Sequence, residues 1–139
     1  MRLLLPKIIS DEEAQSLRST VGYLEWDDDR LSSILPLIQG SCSIHLDDPA
    51  YVRVEDKKEG HPWHIDKGNN GHMDWCKLSA RLLLNPEDDF ESGSFHFIDR
   101  PTDPIFGYRD LLIYDHVPEN RHRVAAHSGQ RRVLLMFFT

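Results

Sequence analysis

Three side chains of this sequence have the chemistry of metal ligands. His64 and Asp66 stand two residues apart, and in a β-strand residues at that spacing point to the same face. A neutral imidazole and a carboxylate suit a borderline divalent metal, and a second histidine, for which His122 is the candidate, would leave coordination positions open. A lone His-x-Asp pair also arises by chance in a chain with eight histidines, so two solvated polar residues are the alternative.

The segment that follows His122 could bind an anion beside such a metal. Gly129 lies where a turn would reverse the chain, and Arg131 and Arg132 open the final apolar stretch. The planar guanidinium matches a carboxylate, and strand alternation would point only one of the two arginines inward. A solvated hairpin end is the alternative. His127 is a weaker rival metal ligand, because it lies close to the turn.

Arg81 is a further candidate for binding a carboxylate. In a strand it would share a face with Ser79 and Leu83, so it could point into the interior. A surface arginine on an edge strand is the alternative.

Aromatic and flexible segments lie on either side of the His-x-Asp pair. Trp63 and Trp75 could form an aromatic wall for a substrate, or could simply pack against the strands. The Gly- and Asn-rich segment 67–74 is predicted to be a mobile loop over the mouth of the site.

The elements that would position these residues are short strands preceded by helices. Ser10 and Glu13 form a capping box that predicts a helix from Ser10 to Leu17. Asp27 to Asp29 could cap a second helix through Ile38, interrupted by Pro36 and closed by Gly40. Strands are predicted near residues 41–46, 50–55, 61–66, 76–84, 93–98, 110–115, 121–126 and 131–138. About eight strands after one or two helices predict a mainly β fold, a jelly-roll barrel or double-stranded β-helix, with N-terminal helices packed on one side.

Length and composition agree with a single domain over residues 1–139. The hydrophobic content of 40% and charged content of 28% are those of a globular protein, and no apolar run is long enough for a membrane span. A net charge of -7 makes nucleic acid an improbable partner. Free thiols at Cys42 and Cys76, together with an N-terminus that does not resemble a signal peptide, predict an intracellular, cytoplasmic protein.

Four blocks, taken in order, resemble the prolyl 4-hydroxylase-like branch of the Fe(II)/2-oxoglutarate dioxygenase superfamily. They are the capped helix at 10–17, the His-x-Asp block at 64–66, Leu82-Leu-Leu-Asn85 with Glu91-Ser-Gly-Ser-Phe-His-Phe97, and Gly107-Tyr-Arg-Asp-Leu-Leu-Ile-Tyr114 leading to His122 and Gly129-Gln-Arg131. They extend over about 130 of the 139 residues. The sequence departs from the family where a tyrosine usually precedes the His-x-Asp block, here around Val54, and at Leu83, which is usually aromatic.

The resemblance implies a cofactor, a cosubstrate and a reaction. His64, Asp66 and His122 match the family's iron(II) ligands, and Arg131 matches the basic residue that binds the distal carboxylate of 2-oxoglutarate, with Arg132 or Arg81 as alternatives. The implied reaction uses oxygen to hydroxylate an unactivated C–H bond of a small molecule, peptide or protein, in a prolyl residue or a free amino acid.

Two interpretations from other classes remain open. One is a jelly roll that binds a metal or another ligand without redox chemistry. The other is a small structural jelly-roll protein, such as a viral one, in which the histidines and Asp66 are surface residues.

Overall fold

A computed structural model describes residues 1–68, 73–103 and 105–139 of the chain. The first helix, α1 (Asp11–Arg18), begins at the predicted capping box. The Ser10 hydroxyl accepts a hydrogen bond from the Glu13 backbone N–H at 3.1 Å, and the Glu13 carboxylate accepts one from the Ser10 N–H at 3.0 Å. These bonds satisfy amide groups that have no partner within the helix, which explains why the sequence placed this start correctly.

The second helix begins and ends later than predicted. Asp28 caps a short 3-10 turn, Asp29–Leu31, and the helix α2 follows as Ile34–Ser41. Pro36 lies in its first turn, where the amide that proline lacks would have no partner in the helix. Proline therefore does not interrupt α2, and Gly40 lies inside the helix instead of closing it.

The strands form a six-stranded sheet and two smaller ones, and all the pairings are antiparallel. We call the six-stranded sheet the major sheet; its spatial order is β1-β8-β5-β11-β3-β2. Its strands are β1 (Arg2–Leu5), β2 (Gly22–Tyr23), β3 (Pro49–Glu55), β5 (Leu78–Leu83), β8 (Leu111–Tyr114) and β11 (Val133–Phe138).

The smaller sheets supply the facing layer. The minor sheet has the order β4-β9-β7 and consists of β4 (His61–His64), β7 (Phe95–Phe97) and β9 (His122–Val124). A two-stranded ribbon pairs β6 (Phe90–Ser92) with β10 (His127–Gly129). The described strands thus lie in separate sheets, and their hydrogen bonds do not close into one continuous barrel.

Most of the predicted strands are present, and one is wrong. Each prediction from 50–55 onward overlaps an observed strand, whereas 41–46 contains the end of α2 and irregular chain. Four further strands, β1, β2, β6 and β10, were not predicted. They have two to four residues each, which is too short for a reliable alternating pattern within the strand.

Hydrophobic packing on both faces of the major sheet fixes the direction of the side chains. On the outer face, Val54, Leu134 and Met136 pack with residues of α1 and α2, including Leu17 and Ile38. On the inner face, Leu83, Val133 and Leu135 form a separate cluster. Every residue of β5 and β11 is buried, because one face of these central strands is covered by the helices and the other by the smaller sheets.

The structure also bears on the predicted free cysteines and on membrane-spanning helices. Cys42 and Cys76 are both free thiols, as predicted. Among the described helices, none has the length and apolar character that crossing a membrane requires.

Candidate metal centre

Strand pairing brings the three predicted metal ligands together. His64 ends β4 and His122 begins β9, and the antiparallel register places these two residues opposite each other. Asp66 lies two residues beyond the end of β4 and is 7% exposed. Residues that are 56 or more positions apart in the chain therefore meet because β4 and β9 are neighbours.

The side-chain atoms of the three residues face a common point. The distance from His64 Nε2 to Asp66 Oδ1 is 3.2 Å, and that from His122 Nε2 to the same oxygen is 3.3 Å. One candidate ligand atom from each residue lies within 4.8 Å of the other two. The arrangement of two imidazoles and one carboxylate is that of a divalent-metal site with open coordination positions.

Backbone carbonyls hold both imidazoles in the form that a metal needs. His64 Nδ1 lies 2.7 Å from the Pro62 carbonyl oxygen, and His122 Nδ1 lies 2.9 Å from that of Asn120. A carbonyl can only accept, so each Nδ1 carries a proton, and in the neutral ring each Nε2 keeps a lone pair for a metal. Nε2 of His122 is buried and forms no hydrogen bond with the part of the chain that is described. A metal ion would satisfy this otherwise unpaired atom.

The charges of the site also favour a metal cation. Burial by itself would raise the pKa of Asp66, but His122, His64 and the charge of Arg81 hold it well below its usual range. Burial lowers the pKa of His122, although the facing Asp66 acts in the opposite direction. At neutral pH the site therefore contains a carboxylate anion and a neutral imidazole, the protonation states in which both groups bind metals.

Tyr114 and Arg81 lie behind the Asp66 carboxylate, and the sequence indicated only Arg81. The Tyr114 hydroxyl donates to Asp66 Oδ2 at 2.7 Å and accepts from Arg81 Nε at 2.9 Å. Arg81 is 4% exposed, and its Nη2 lies 3.9 Å from Asp66 Oδ1. Burial raises the pKa of Tyr114 well above its usual value, so the phenol keeps the proton that it donates. Sequence reasoning missed Tyr114, and the available signal was its place at the end of a strand in the block that leads to His122.

The structure separates the two adjacent arginines, as strand alternation predicts. Arg131 is 6% exposed and faces the interior, on the same side as Val133. The Arg132 backbone N–H donates to Asn85 Oδ1 at 2.8 Å, and its guanidinium donates to the Arg18 carbonyl at the end of α1. Arg132 thus points to the helical side of the major sheet, away from the candidate metal centre.

Arg131 is a buried cation that lies beside an aromatic ring. Its guanidinium carbon lies 5.7 Å from the centre of the Phe90 ring. Burial, reinforced by the charge of Arg81, lowers its pKa from 12.5 to about 10. Gly93, at φ +80°, makes room for this side chain, since a Cβ there would lie 2.6 Å from Arg131 Cδ. Arg131 and Arg81 line a narrow space that also borders His61 and Val133.

A cavity of about 530 Å³ gives access to the metal centre. His64, Asp66 and Arg81 line its inner part. Its other described walls are Tyr51, Arg53, Glu55, Lys57, His61, Pro62, Ile65, Gly68, Met73, Leu135 and Phe137. Of the predicted loop 67–74, residues 69–72 lie outside the described residues.

The remaining sequence candidates lie elsewhere. Trp63 faces away from the cavity, with its ring 5.1 Å from the guanidinium carbon of Arg123, and Trp75 is 42% exposed. Neither is among the described residues that line the cavity, so a role in substrate binding stays a prediction. Nε2 of His127 lies 2.6 Å from Asp56 Oδ1, so this histidine pairs with another acid and is not part of the three-residue group.

Comparison with known proteins gives a result for structure but not for sequence. No protein-family profile and no curated protein matches this sequence. A prolyl-4-hydroxylase from Pseudomonas putida superposes with a TM-score of 0.73 at 13% identity, over 99% of this chain and 91% of that one. An oxidoreductase of the 2OG-Fe(II) oxygenase family from Burkholderia pseudomallei gives 0.66 at 13% identity, over 99% and 84%.

A third solved structure contains a peptide. It is a prolyl hydroxylase from Trichoplax adhaerens in complex with a peptide fragment of the hypoxia inducible factor oxygen degradation domain, with a TM-score of 0.73, 14% identity and coverage of 99% and 82%. Likeness at such low identity establishes architecture. The chain therefore has the jelly-roll fold of the prolyl hydroxylases and 2OG-Fe(II) oxygenases, as the order of its sequence blocks predicted.

Proposed function

We propose that this protein is an oxygenase that depends on Fe(II) and 2-oxoglutarate and hydroxylates an unactivated C–H bond. The observation that carries the proposal is the convergence of His64, Asp66 and His122 within 4.8 Å, on a fold that a 2OG-Fe(II) oxygenase shares. The unpaired Nε2 of His122 and the ionised Asp66 fit a divalent cation.

The three residues would hold iron through His64 Nε2, Asp66 Oδ1 and His122 Nε2. When bound, iron would supply oxygen activation, with 2-oxoglutarate as the two-electron reductant. The protein would fix the ligands and exclude water from the buried side of the centre. The carbonyls of Pro62 and Asn120 would hold a proton on Nδ1 of each histidine and so leave Nε2 free for the metal.

Arg131 would bind the distal carboxylate of 2-oxoglutarate. It is buried, it faces the interior, and it lines the same narrow space as Arg81. Charge-assisted hydrogen bonds to a carboxylate are strong where water is excluded. Arg131, Arg81 and Lys57 border the space against one carboxylate, that of Glu55, so the balance of charge there favours an anion. Arg81 is the second donor in this proposal, and Arg132 is set aside because it points to the helices.

The substrate would enter through the cavity beside the metal centre. The rings of Tyr51 and Phe137 lie 4.9 Å apart in its wall, and Arg53 and Lys57 add positive charge. A prolyl residue of a peptide suits the aromatic wall, and the fold neighbour solved with a peptide supports this choice. A free amino acid, whose carboxylate could meet Arg53 or Lys57, is the alternative substrate.

Anaerobic titration tests the proposal against a jelly roll without redox chemistry. Adding Fe(II) and then 2-oxoglutarate should produce a visible charge-transfer band in the wild-type protein and none in His64→Ala. His45→Ala is the matched control, because the His45 side chain is 85% exposed and its Nε2 lies beside Asp47, away from the candidate metal centre. Folded, metal-loaded wild-type protein that shows no band and forms no succinate with candidate peptides or amino acids would overturn the proposal.

A further inference from the structure

The carboxylate of Asp66 has two oxygens in different surroundings. Oδ1 lies 3.2 Å and 3.3 Å from the Nε2 atoms of His64 and His122. Oδ2 accepts a 2.7 Å hydrogen bond from the Tyr114 hydroxyl. Only Oδ1 therefore faces the point where the three ligand groups converge.

Arg81 determines where the Tyr114 proton points. Arg81 Nε donates to the Tyr114 oxygen at 2.9 Å, and an arginine cannot accept in return. The single hydroxyl proton of Tyr114 is therefore left for Asp66 Oδ2. All three residues are buried, and the Tyr114 ring is held by edge contacts with Phe97 and His122 at centroid distances of 5.5 Å and 5.1 Å. The carboxylate has little freedom to rotate.

We propose that Tyr114 and Arg81 are positioning residues that hold Asp66 as a one-oxygen ligand, and this inference rests on the function proposed above. A carboxylate that turned to bind through both oxygens would take up a further coordination position. With Oδ2 occupied by Tyr114, Asp66 would take one position and His64 and His122 would take two, which would leave the remaining positions open for cosubstrate and oxygen. Hydrogen-bonded partners of this kind tune metal affinity as well as ligand orientation.

Tyr114→Phe tests this inference, because it removes one oxygen atom and keeps the ring. We expect its affinity for Co(II) or Mn(II), measured by calorimetry without 2-oxoglutarate, to fall roughly 10- to 100-fold. The visible bands of bound Co(II) should weaken, as they do when a cobalt site gains a ligand oxygen. Tyr108→Phe is the matched control, since Tyr108 packs on the helical side of the major sheet. Its metal affinity should stay within twofold of wild type.

Other outcomes decide between this inference and simpler explanations. A purely structural role would lower the melting temperature of metal-free Tyr114→Phe and leave the Co(II) spectrum unchanged, and that result overturns the inference. If Tyr114→Phe does not fold, Arg81→Lys, which keeps a countercharge for Asp66 but removes the Nε donor to Tyr114, must show the change in the Co(II) spectrum. Wild-type protein that fails to bind Co(II), or His64→Ala that binds it equally well, contradicts the proposed metal centre itself. Normal wild-type binding with an unaltered Tyr114→Phe contradicts only the positioning role.

Discussion

Two arginines are buried in the same interior, and they differ in what surrounds them. Arg81 donates to Tyr114 and lies 3.9 Å from the Asp66 carboxylate, so its charge belongs to a network. Arg131 has the Phe90 ring beside it and makes no ion pair with any described residue within 4.0 Å. A buried charge with partners is part of the folded structure, whereas one without partners is costly until a ligand supplies the opposite charge. The charge of Arg81 is thus paired within the protein, whereas the charge of Arg131 has no ion-pair partner within 4.0 Å among the described residues, and our proposal assigns it the distal carboxylate of 2-oxoglutarate.

The largest expected effect is the loss of stability on removing Arg81, and Arg131→Met is the variant with which it is compared. Arg81→Met leaves the buried Asp66 without its countercharge, and we expect it to lower the free energy of unfolding by about 3–5 kcal/mol. Arg131→Met removes a buried charge that has no ion-pair partner within 4.0 Å among the described residues, so the free energy of unfolding should stay the same or rise. Urea unfolding of the metal-free proteins measures both. Equal losses in the two variants would contradict the difference drawn between the two arginines.

The next largest effect is on 2-oxoglutarate affinity, and it tests whether Arg131 or Arg132 binds the distal carboxylate. Arg131→Met should weaken 2-oxoglutarate binding to the Mn(II)-loaded protein roughly 10- to 100-fold, because a hydrogen bond to a charged group contributes about 1.5–3 kcal/mol. Arg132→Met is the control, since the Arg132 guanidinium donates to the Arg18 carbonyl on the helical side. Calorimetry should find it close to wild type. A larger loss in Arg132→Met than in Arg131→Met would reverse the assignment.

The smallest effect concerns pH, because neither the metal affinity nor the 2-oxoglutarate affinity should change between pH 7 and pH 9. A metal competes with a proton for His122 Nε2. Burial lowers the pKa of His122 from 6.5, so protons compete at this residue only below pH 6.5, and Mn(II) affinity should stay level above that pH. The pKa of Arg131 is lowered to about 10, so the cation persists up to roughly pH 9 and the 2-oxoglutarate affinity of metal-saturated protein should also be level there. Metal affinity that declines between pH 7 and pH 9 would contradict this.

Predictions from the sequence succeeded where neighbouring residues decide the structure. Ser10 and Glu13 are three residues apart and cap α1 by contacting each other. His64 and Asp66 lie together as predicted, although β4 ends at His64 and Asp66 stands in a bend two residues further on. Alternation likewise predicted that only one of Arg131 and Arg132 points inward, and that one is Arg131.

Predictions failed where a local pattern had two structural meanings. Pro36 was expected to interrupt a helix, yet in the first turn of α2 it costs no hydrogen bond. The stretch 41–46 was expected to be a strand, but Ser41 completes α2 and the residues after it are irregular. The short strands β6 and β10 exist because they pair with each other, and a pairing partner 35 or more residues away is not visible in a three-residue window.

The sequence by itself predicted the candidate metal ligands, because the ligand chemistry belongs to the residue types and the His-x-Asp spacing keeps two of them close together. It also indicated the fold, through the order of blocks that extends over most of the chain. Only the tertiary structure decided that Tyr114 and Arg81 hold Asp66, and that Arg131 is buried without a partner. Those contacts depend on which strands are neighbours: β5 lies beside β8, and β4 beside β9. Packing of the whole core decides which strands lie beside each other, and no local sequence pattern encodes that packing.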